Sequence, residues 1–286
     1  MRDDLQSVSD ADKGSATIKP ILRWAGSKQR SLPNIAPYLP TGWDRYIEAF
    51  AGSACLFFHL DPDQAILVDN NVDLMRFYGI AKERPKSVFQ TFRRLPRDSD
   101  TYYRVRSAMN DETDPVKRAA YFLYLNRNCF NGIYRTNNKG EFNVPFSGSR
   151  VAKYQSEANF IAAIKVLNKA VLQCRDFENV CSKQVRRGDF IYLDPPYYMP
   201  RKRIFREYSS EPFSKADVGR LEQTLRRIDR AGATFLLSYP DCAISKRLAA
   251  SWNKKRINVR RTVAGNVAAR GATKELLIFN YDPCYA

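Results

Sequence analysis

The chain of 286 residues contains a single histidine, His59. That scarcity removes much imidazole chemistry at once: a Ser-His-Asp triad would need His59 as its base, and no cluster of histidines can bind a metal. His59 sits in the run Leu56-Phe57-Phe58-His59-Leu60, which reads as a helix against a sheet, so its expected role is that of a helix-end residue. Six cysteines stand at positions 55, 129, 174, 181, 242 and 284, with no Cys-x-x-Cys pair among them. One histidine cannot complete a Cys/His zinc site with them, so we read reduced cytoplasmic thiols and expect no metal. No apolar run approaches the roughly 18 residues of a membrane-spanning helix, and mean hydropathy is −0.48. We therefore expect no membrane partner. Residues 1–17 are polar and acidic, lack the apolar stretch of a signal peptide, and are expected to form a disordered tail.

Acidic residues are the other shortage. There are 47 Lys and Arg against 30 Asp and Glu, a formal charge of +17. The imbalance is uneven. From Lys246 to Lys274 the chain carries nine bases (Lys246, Arg247, Lys254, Lys255, Arg256, Arg260, Arg261, Arg270, Lys274) and no acid. A second cluster, Arg201-Lys202-Arg203 with Arg206, follows a proline-rich loop. Such clusters point to a polyanionic partner, most simply nucleic acid; a solvated basic surface without function is the plainer alternative. No basic amphipathic helix speaks for a membrane surface.

The most informative local feature is Asp194-Pro195-Pro196-Tyr197, directly after the apolar run Phe190-Ile191-Tyr192-Leu193. The run reads as a buried strand. Two prolines cannot extend its ladder, because neither has an N–H and both fix φ near −65°. The chain is forced into a rigid loop at the carboxyl end of the strand, where open α/β sheets bind ligands. That loop offers a carboxylate, backbone carbonyls and an aromatic face. The set suits a planar heterocycle bearing an amino group: Asp194 and the Pro195 carbonyl accept from the NH₂, and Tyr197 stacks on the ring. A capped Pro-rich turn is the structural alternative.

Upstream, Tyr46 to Phe50 reads as a strand, Ala51-Gly52-Ser53-Ala54 as a tight turn, and Cys55 to Leu60 as the start of a helix. Ala65 to Asp69 is the next strand and ends on an acid. In nucleotide-binding α/β folds such an acid takes ribose hydroxyls, while a glycine turn lets the ligand approach the backbone. With only one glycine, a purely structural turn stays open. Between about Val72 and Gln155 aromatics and arginines interleave, and Asp114-Pro115 starts a helix ending near Asn126-Arg127-Asn128. The polar loop Asn131 to Gly148 holds Arg135, Asn137, Asn138, Lys139 and Asn143. Arg and Asn pair bidentately with guanine and adenine edges in the major groove, so the loop suits DNA readout or is an ordinary polar turn. The α/β pattern resumes with a helix from Glu157 to Ala170, a strand over Val171–Cys174, the Phe190–Leu193 strand, and a helix from Ser214 to Ala231 with Asp217 three residues past its cap and Gly232 at its end. Thr234 to Ser238 forms another strand, and Ile257–Val263 with Leu276–Tyr281 a closing antiparallel pair.

Taken together, these motifs resemble the Dam-type (α group) DNA adenine-N6 methyltransferases, over nearly the whole chain from Ile21 and in the family's order. Leu22-Arg23-Trp24-Ala25-Gly26-Ser27-Lys28 is similar to the family's N-terminal S-adenosyl-L-methionine (AdoMet) motif, with Arg23 for Lys and Ser27 for Gly. Phe50 to Ala54 is similar to its F-x-G-x-G motif, with Ala54 for the last glycine. Leu125 to Asn131-Gly132, Arg135 and Gly140 to Phe146 resemble its target-recognition hairpin. The resemblance implies a Rossmann-like class I AdoMet-dependent methyltransferase fold of α/β type with an inserted, mostly helical target-recognition domain. The catalytic domain is expected over 18–71 and 158–286, and the recognition domain over 72–157. It implies Asp194, Pro195, Pro196 and Tyr197 as the catalytic loop. Trp24, Ala25, Gly26, Lys28, Phe50, Gly52, Ser53, Asp69, Asp176, Phe177 and Asp194 would line the cofactor, with Trp24 and Lys28 at its methionine end. Arg135 would read a base, near Asn131, Ile133 and Pro145, with Arg23 as a second reader and Asn137, Asn143, Arg201, Arg203 and Arg270 as further DNA contacts. Double-stranded DNA is the implied substrate, a GATC-like palindrome the implied site, and the cytoplasm of a bacterium or phage-infected cell, at the nucleoid, the implied location. Monomer or homodimer stays open. The competing readings are an N4-cytosine methyltransferase, which more often has Ser before the prolines, and a non-catalytic DNA-binding regulator of the same fold.

Overall fold

The computed structural model describes residues 18–148, 152–198, 213–260 and 272–283. The acidic tail, Arg201, Arg203 and Arg270 lie outside the described residues. Within them runs a seven-stranded sheet of β1 (Arg45–Glu48), β2 (Ala65–Asp69), β3 (Ala170–Cys174), β4 (Asp189–Leu193), β5 (Thr234–Pro240), β6 (Asn253–Arg260) and β7 (Ala272–Phe279). Across the sheet the order is β3-β2-β1-β4-β5-β7-β6. The first five strands are parallel, and β7 runs antiparallel to β5 and β6. This is the expected Rossmann-like α/β sheet.

The central parallel strands β2 and β4 read as unbroken apolar runs because both their faces are covered, whereas the edge strand β3 is partly exposed. Tyr46, Leu67, Phe190, Tyr192 and Leu236 pack into one apolar layer, while Ile47, Ile66, Ile191, Leu193, Phe235 and Leu237 pack into the other. The helices, in chain order, are α1 (Leu32–Ile35), α2 (Cys55–Leu60), α3 (Val72–Glu83), α4 (Pro85–Arg93), α5 (Ser99–Asp111), α6 (Pro115–Asn128), α7 (Glu157–Leu167), α8 (Phe177–Lys183), α9 (Lys215–Arg230) and α10 (Ala243–Leu248). Helices α8 and α9 cover the second layer through Val180, Leu221, Leu225 and Ile228. Their starts obey local chemistry. Asp114 accepts from the Lys117 N–H with Pro115 at the first helical position of α6, and Ser214 and Asp217 form a reciprocal capping box on α9. His59 is exposed in the last turn of α2, as expected.

Several expected boundaries move. The helix read to Ala170 stops at Leu167, because Ala170 pairs with Ala65 in the β2–β3 register. β6 and β7 begin before their apolar runs, at Asn253 and Ala272: antiparallel pairing carries polar residues into the ladder. Helices α3, α4 and α5 are additions that the apolar spacing did not single out. Helices α3 to α6 lie between β2 and β3 in the chain. Phe77 and Phe122 of these helices, with Tyr134 and Phe142 of the loop after α6, share one buried cluster with Tyr46, Phe190 and Phe279 of the sheet.

Chain direction decides where a ligand can sit. From β1 the chain proceeds outward to β2 and β3; β4 pairs with the other side of β1 and leads to β5. A crevice therefore opens between the carboxyl ends of β1 and β4, the switch point at which such sheets bind ligands.

Candidate active site

Both sequence motifs end at that switch point. Strand β4 delivers Asp194, followed by buried Pro195 and exposed Pro196, while β1 delivers the turn Phe50 to Ala54. The third contributor comes from much earlier in the chain. Lys28 opens a short 3₁₀ turn and is only 4% exposed. Its Nζ donates to Asp194 Oδ1 at 2.6 Å and to the Tyr197 hydroxyl at 3.0 Å, and lies 3.6 Å from Glu275 Oε2. Burial opposes the ammonium charge, but Asp194, Tyr197 and Glu275 outweigh it and hold the Lys28 pKa well above the ordinary lysine value. Lys28 therefore stays charged at any working pH. Burial pushes the Tyr197 hydroxyl above the usual phenol range despite the adjacent Lys28 cation. It stays protonated and donates to Glu275 Oε1 at 3.1 Å. The Tyr197 ring meets Tyr239 edge-on at 5.5 Å between centroids, and the Tyr239 hydroxyl accepts from the Tyr198 N–H. The aromatic face beside Asp194 is thus set from several sides.

Glu275 escaped the sequence reading. It sits on β7, buried, and also accepts from the Ser238 hydroxyl at 2.8 Å. The available signal was an acid two residues before Leu277 and four before Phe279, on the core-facing side of an apolar strand.

On the other side of the crevice Asp69 ends β2 and ties down the glycine turn. Its Oδ2 accepts from the Gly52 N–H and its Oδ1 from the Asn71 N–H, both at 2.9 Å. Burial raises the Asp69 pKa, against hydrogen bonds from Gly52, Asn71 and Asn70 that lower it. Gly52 has φ +47°, and a Cβ there would stand 2.7 Å from Trp24 Cδ1. The turn therefore lets Trp24 lie on the backbone, stacked on Tyr134 at 5.7 Å. Ser27 N–H donates to the Trp24 carbonyl, closing a turn over Ala25 and Gly26, and the Ser53 and Ser27 hydroxyls meet at 3.1 Å. Ala54 adopts φ 52°, the left-handed region that a glycine occupies without strain. Beneath the turn the buried Glu48 accepts from the Tyr46 hydroxyl and the Phe57 N–H. Burial pushes its carboxyl up to about 8.

Past β3, Asp176 caps α8 by accepting from the Glu178 N–H and is also bound by Arg220, whose guanidinium lies 5.0 Å over the Phe177 ring. Phe50 and Phe177 are 4.9 Å apart, and Phe213, which sequence reasoning missed, joins both at 6.3 and 6.4 Å. The residue types suit AdoMet: the Asp69 carboxylate would accept from ribose hydroxyls, and the Phe50–Phe177–Phe213 cluster offers aromatic surface for an adenine. Among the described residues, no group of three or more His, Cys, Asp or Glu could hold a metal ion, and no helix is long and apolar enough to cross a membrane.

The polar loop after α6 folds back on itself as a hairpin, with bridges Cys129 to Phe146 and Thr136 to Phe142. Arg135 is held by Asn143: Nε donates to the side-chain Oδ1 at 2.7 Å and Nη2 to the carbonyl at 3.4 Å. Exposed Asn137 builds the turn, accepting from the Lys139 and Glu141 N–H groups and donating to the Glu141 carboxylate. Asn131 has φ 55°, Ile133 is half-buried, and Pro145 is exposed with its carbonyl bound by the Phe130 N–H. Arg23 is brought to this loop from the N-terminal segment. Asn126 accepts from its N–H at 2.9 Å and donates to its carbonyl at 2.6 Å. Gly132, at φ +67°, makes room for it, since a Cβ there would meet the Arg23 Cβ at 2.6 Å.

Comparisons with known proteins bear on the same span. A family model described as D12 class N6 adenine-specific DNA methyltransferase matches residues 24–264. A DNA adenine methylase of Serratia marcescens is 34% identical over 266 residues, covering 90% of this chain and 96% of that protein. The DNA adenine methylase of Escherichia coli (strain K12) is 31% identical over 269 residues, covering 92% and 95%. The type II methyltransferase M1.LlaDCHI of Lactococcus lactis subsp. cremoris is 30% identical over 278 residues, covering 94% and 98%.

Proposed function

This chain belongs to the D12 class N6 adenine-specific DNA methyltransferases, and on that premise we propose that it methylates one adenine in a short, GATC-like palindrome of duplex DNA. The observation that carries the reading is the joining of Lys28, Asp194 and Tyr197 at the switch point, beside the Gly52–Asp69 turn. When bound, AdoMet supplies an electrophilic methyl group on a positively charged sulfur.

The residues supply the rest. Adenine N6 is a poor nucleophile because its lone pair is delocalised into the ring. Asp194 and the Pro195 carbonyl accept hydrogen bonds from the two N6–H groups and so favour the pyramidal amine that attacks in line; the methyl–sulfur bond breaks as the N6–methyl bond forms, one N6 proton leaves to solvent, and positioning and electrostatics carry the rate. The target atom is hidden in a duplex, so the base flips out at a cost of roughly a few kcal/mol. Stacking on Tyr197 offsets part of it, at about 1–3 kcal/mol per base. Asp69 holds the ribose, and Phe50, Phe177 and Asp176 border the cofactor adenine. Residues 72–157 serve as the recognition module, with Arg135 reading a base from the hairpin and Arg23 as second reader. Asn143 orients Arg135, and Asn137 shapes the turn. Such an enzyme works in the cytoplasm, where its DNA lies.

The test is plasmid DNA incubated with the purified protein and labelled AdoMet, then sequenced by a single-molecule method that detects methylated adenine and cytosine. Methyl-adenine confined to one short motif is the expected result. Methyl-cytosine instead, or no modified base despite DNA binding, overturns it.

A further inference from the structure

Glu275 occupies a place where an apolar side chain would fit. It is 2% exposed, faces Pro240 across the β5–β7 ladder, and shares its strand face with Leu277 and Phe279 of the core. Burying a carboxylate is unfavourable, and replacing a buried ion pair by apolar residues is often neutral or stabilising. Stability alone is thus a poor reason for an acid here. What the acid does contact is the candidate active site. One oxygen accepts from the Tyr197 hydroxyl, the other accepts from Ser238 and lies 3.6 Å from the Lys28 ammonium.

We propose that Glu275 is a positioning residue for methyl transfer, acting through Tyr197 and Lys28. The Tyr197 hydroxyl receives a hydrogen bond from Lys28 and gives one to Glu275. Swinging the ring breaks both, so the two partners fix the face that the flipped base meets. Ser238, fully buried on β5, holds the second Glu275 oxygen and fixes the carboxylate in turn. The same carboxylate lies 3.6 Å from the Lys28 ammonium that holds Asp194, so the ammonium is shared between two acids instead of neutralising Asp194 alone. Asp194 therefore keeps more of its acceptor strength for the N6 protons. The inference rests on the reading above in which Tyr197 stacks on the target adenine.

The experiment uses the full-length enzyme, a cognate duplex, and the variants E275Q, E275L, Y197F, Y197A and the double variant E275L/Y197F. Single-turnover methyl transfer, AdoMet affinity and the fluorescence of 2-aminopurine at the target position are measured. E275L is expected to lose about tenfold or more in the chemical step, since small displacements of reacting groups have large rate effects. Its flipped-base fluorescence shifts toward that of Y197A, and its rate at saturating AdoMet stays low, so weaker cofactor binding does not account for the loss. E275Q, whose carbonyl oxygen still accepts from Tyr197, recovers most of the rate. The double variant loses less than the product of the two single losses, because both changes cut the Tyr197–Glu275 hydrogen bond. Wild-type kinetics in E275L, losses that multiply in the double variant, or E275Q as slow as E275L overturn the proposal. If E275L does not fold, S238A loosens the same carboxylate, and its loss must likewise fail to multiply with Y197F. Y197A transferring methyl at the wild-type rate defeats the stacking reading itself, whereas an impaired Y197A beside an unimpaired E275L defeats only the role of Glu275.

Discussion

Replacing Glu48 by Gln tests the electrostatics beneath the cofactor turn. Glu48 is 3% exposed, and burial raises its carboxyl from 4.5 to about 8. In the unfolded chain it ionises near the ordinary value. Below pH 4.5 both states hold the proton and the group contributes nothing to the pH dependence. Between 4.5 and about 8 only the folded state holds it, so stability falls as pH rises, by about 1.4 kcal/mol per pH unit. Above that window the loss saturates, at about 5 kcal/mol as an upper bound. For a domain of this size the slope corresponds to about 2–3 °C in Tm per pH unit. Glu48→Gln keeps a carbonyl acceptor for the Tyr46 hydroxyl and the Phe57 N–H while abolishing the titration. Thermal unfolding of both proteins from pH 5 to 8 gives the answer as a difference, which cancels every other titrating group. The variant's Tm relative to wild type must climb with pH. A flat difference means that Glu48 titrates alike in the folded and unfolded states, and the burial argument fails.

Asp194→Ala should abolish turnover while leaving most DNA affinity, measured by methyl incorporation beside a binding titration; full activity would sink the mechanism. Arg135→Ala should remove about 1–3 kcal/mol of discrimination between cognate and scrambled duplexes, the worth of one bidentate base contact. Unchanged discrimination would move readout elsewhere. Ala54→Gly relieves a left-handed alanine, φ 52°, and should stabilise by about 1 kcal/mol, raising Tm by about 2 °C. A lower Tm would refute the strain at that turn.

Much of the fold was legible because its signals are local. Asp114-Pro115 and Ser214 with Asp217 start helices by capping chemistry that involves four adjacent residues, and the structure shows those caps. The unbroken apolar runs at Ala65–Val68 and Phe190–Leu193 announced strands buried on both faces. Where pairing with another strand decides an end, local reading erred: Ala170 left its helix for β3, and polar residues extended β6 and β7. Helices α3 and α5 begin at the caps Asn71 and Asp98 and α4 at Pro85, local signals that were present in the sequence and went unread. Asn137, expected at the DNA by residue type, also builds the turn that presents its neighbours, a role its type alone did not announce.

What the sequence determined by itself was the chemistry at hand: a carboxylate, a rigid double proline and an aromatic ring at a strand end, a glycine turn answered by Asp69, and a strongly basic chain. Spacing along a chain says nothing, however, about which side chains meet after strands from distant segments pair. Only the tertiary structure decided that Lys28, 166 residues before Asp194, donates to its carboxylate at 2.6 Å. It alone decided that Asn126 clips Arg23 to the hairpin and that Glu275 reaches Tyr197 from the antiparallel strand β7. The reason is the order of the sheet, which brings the ends of β1 and β4 together and folds β7 back beside β5.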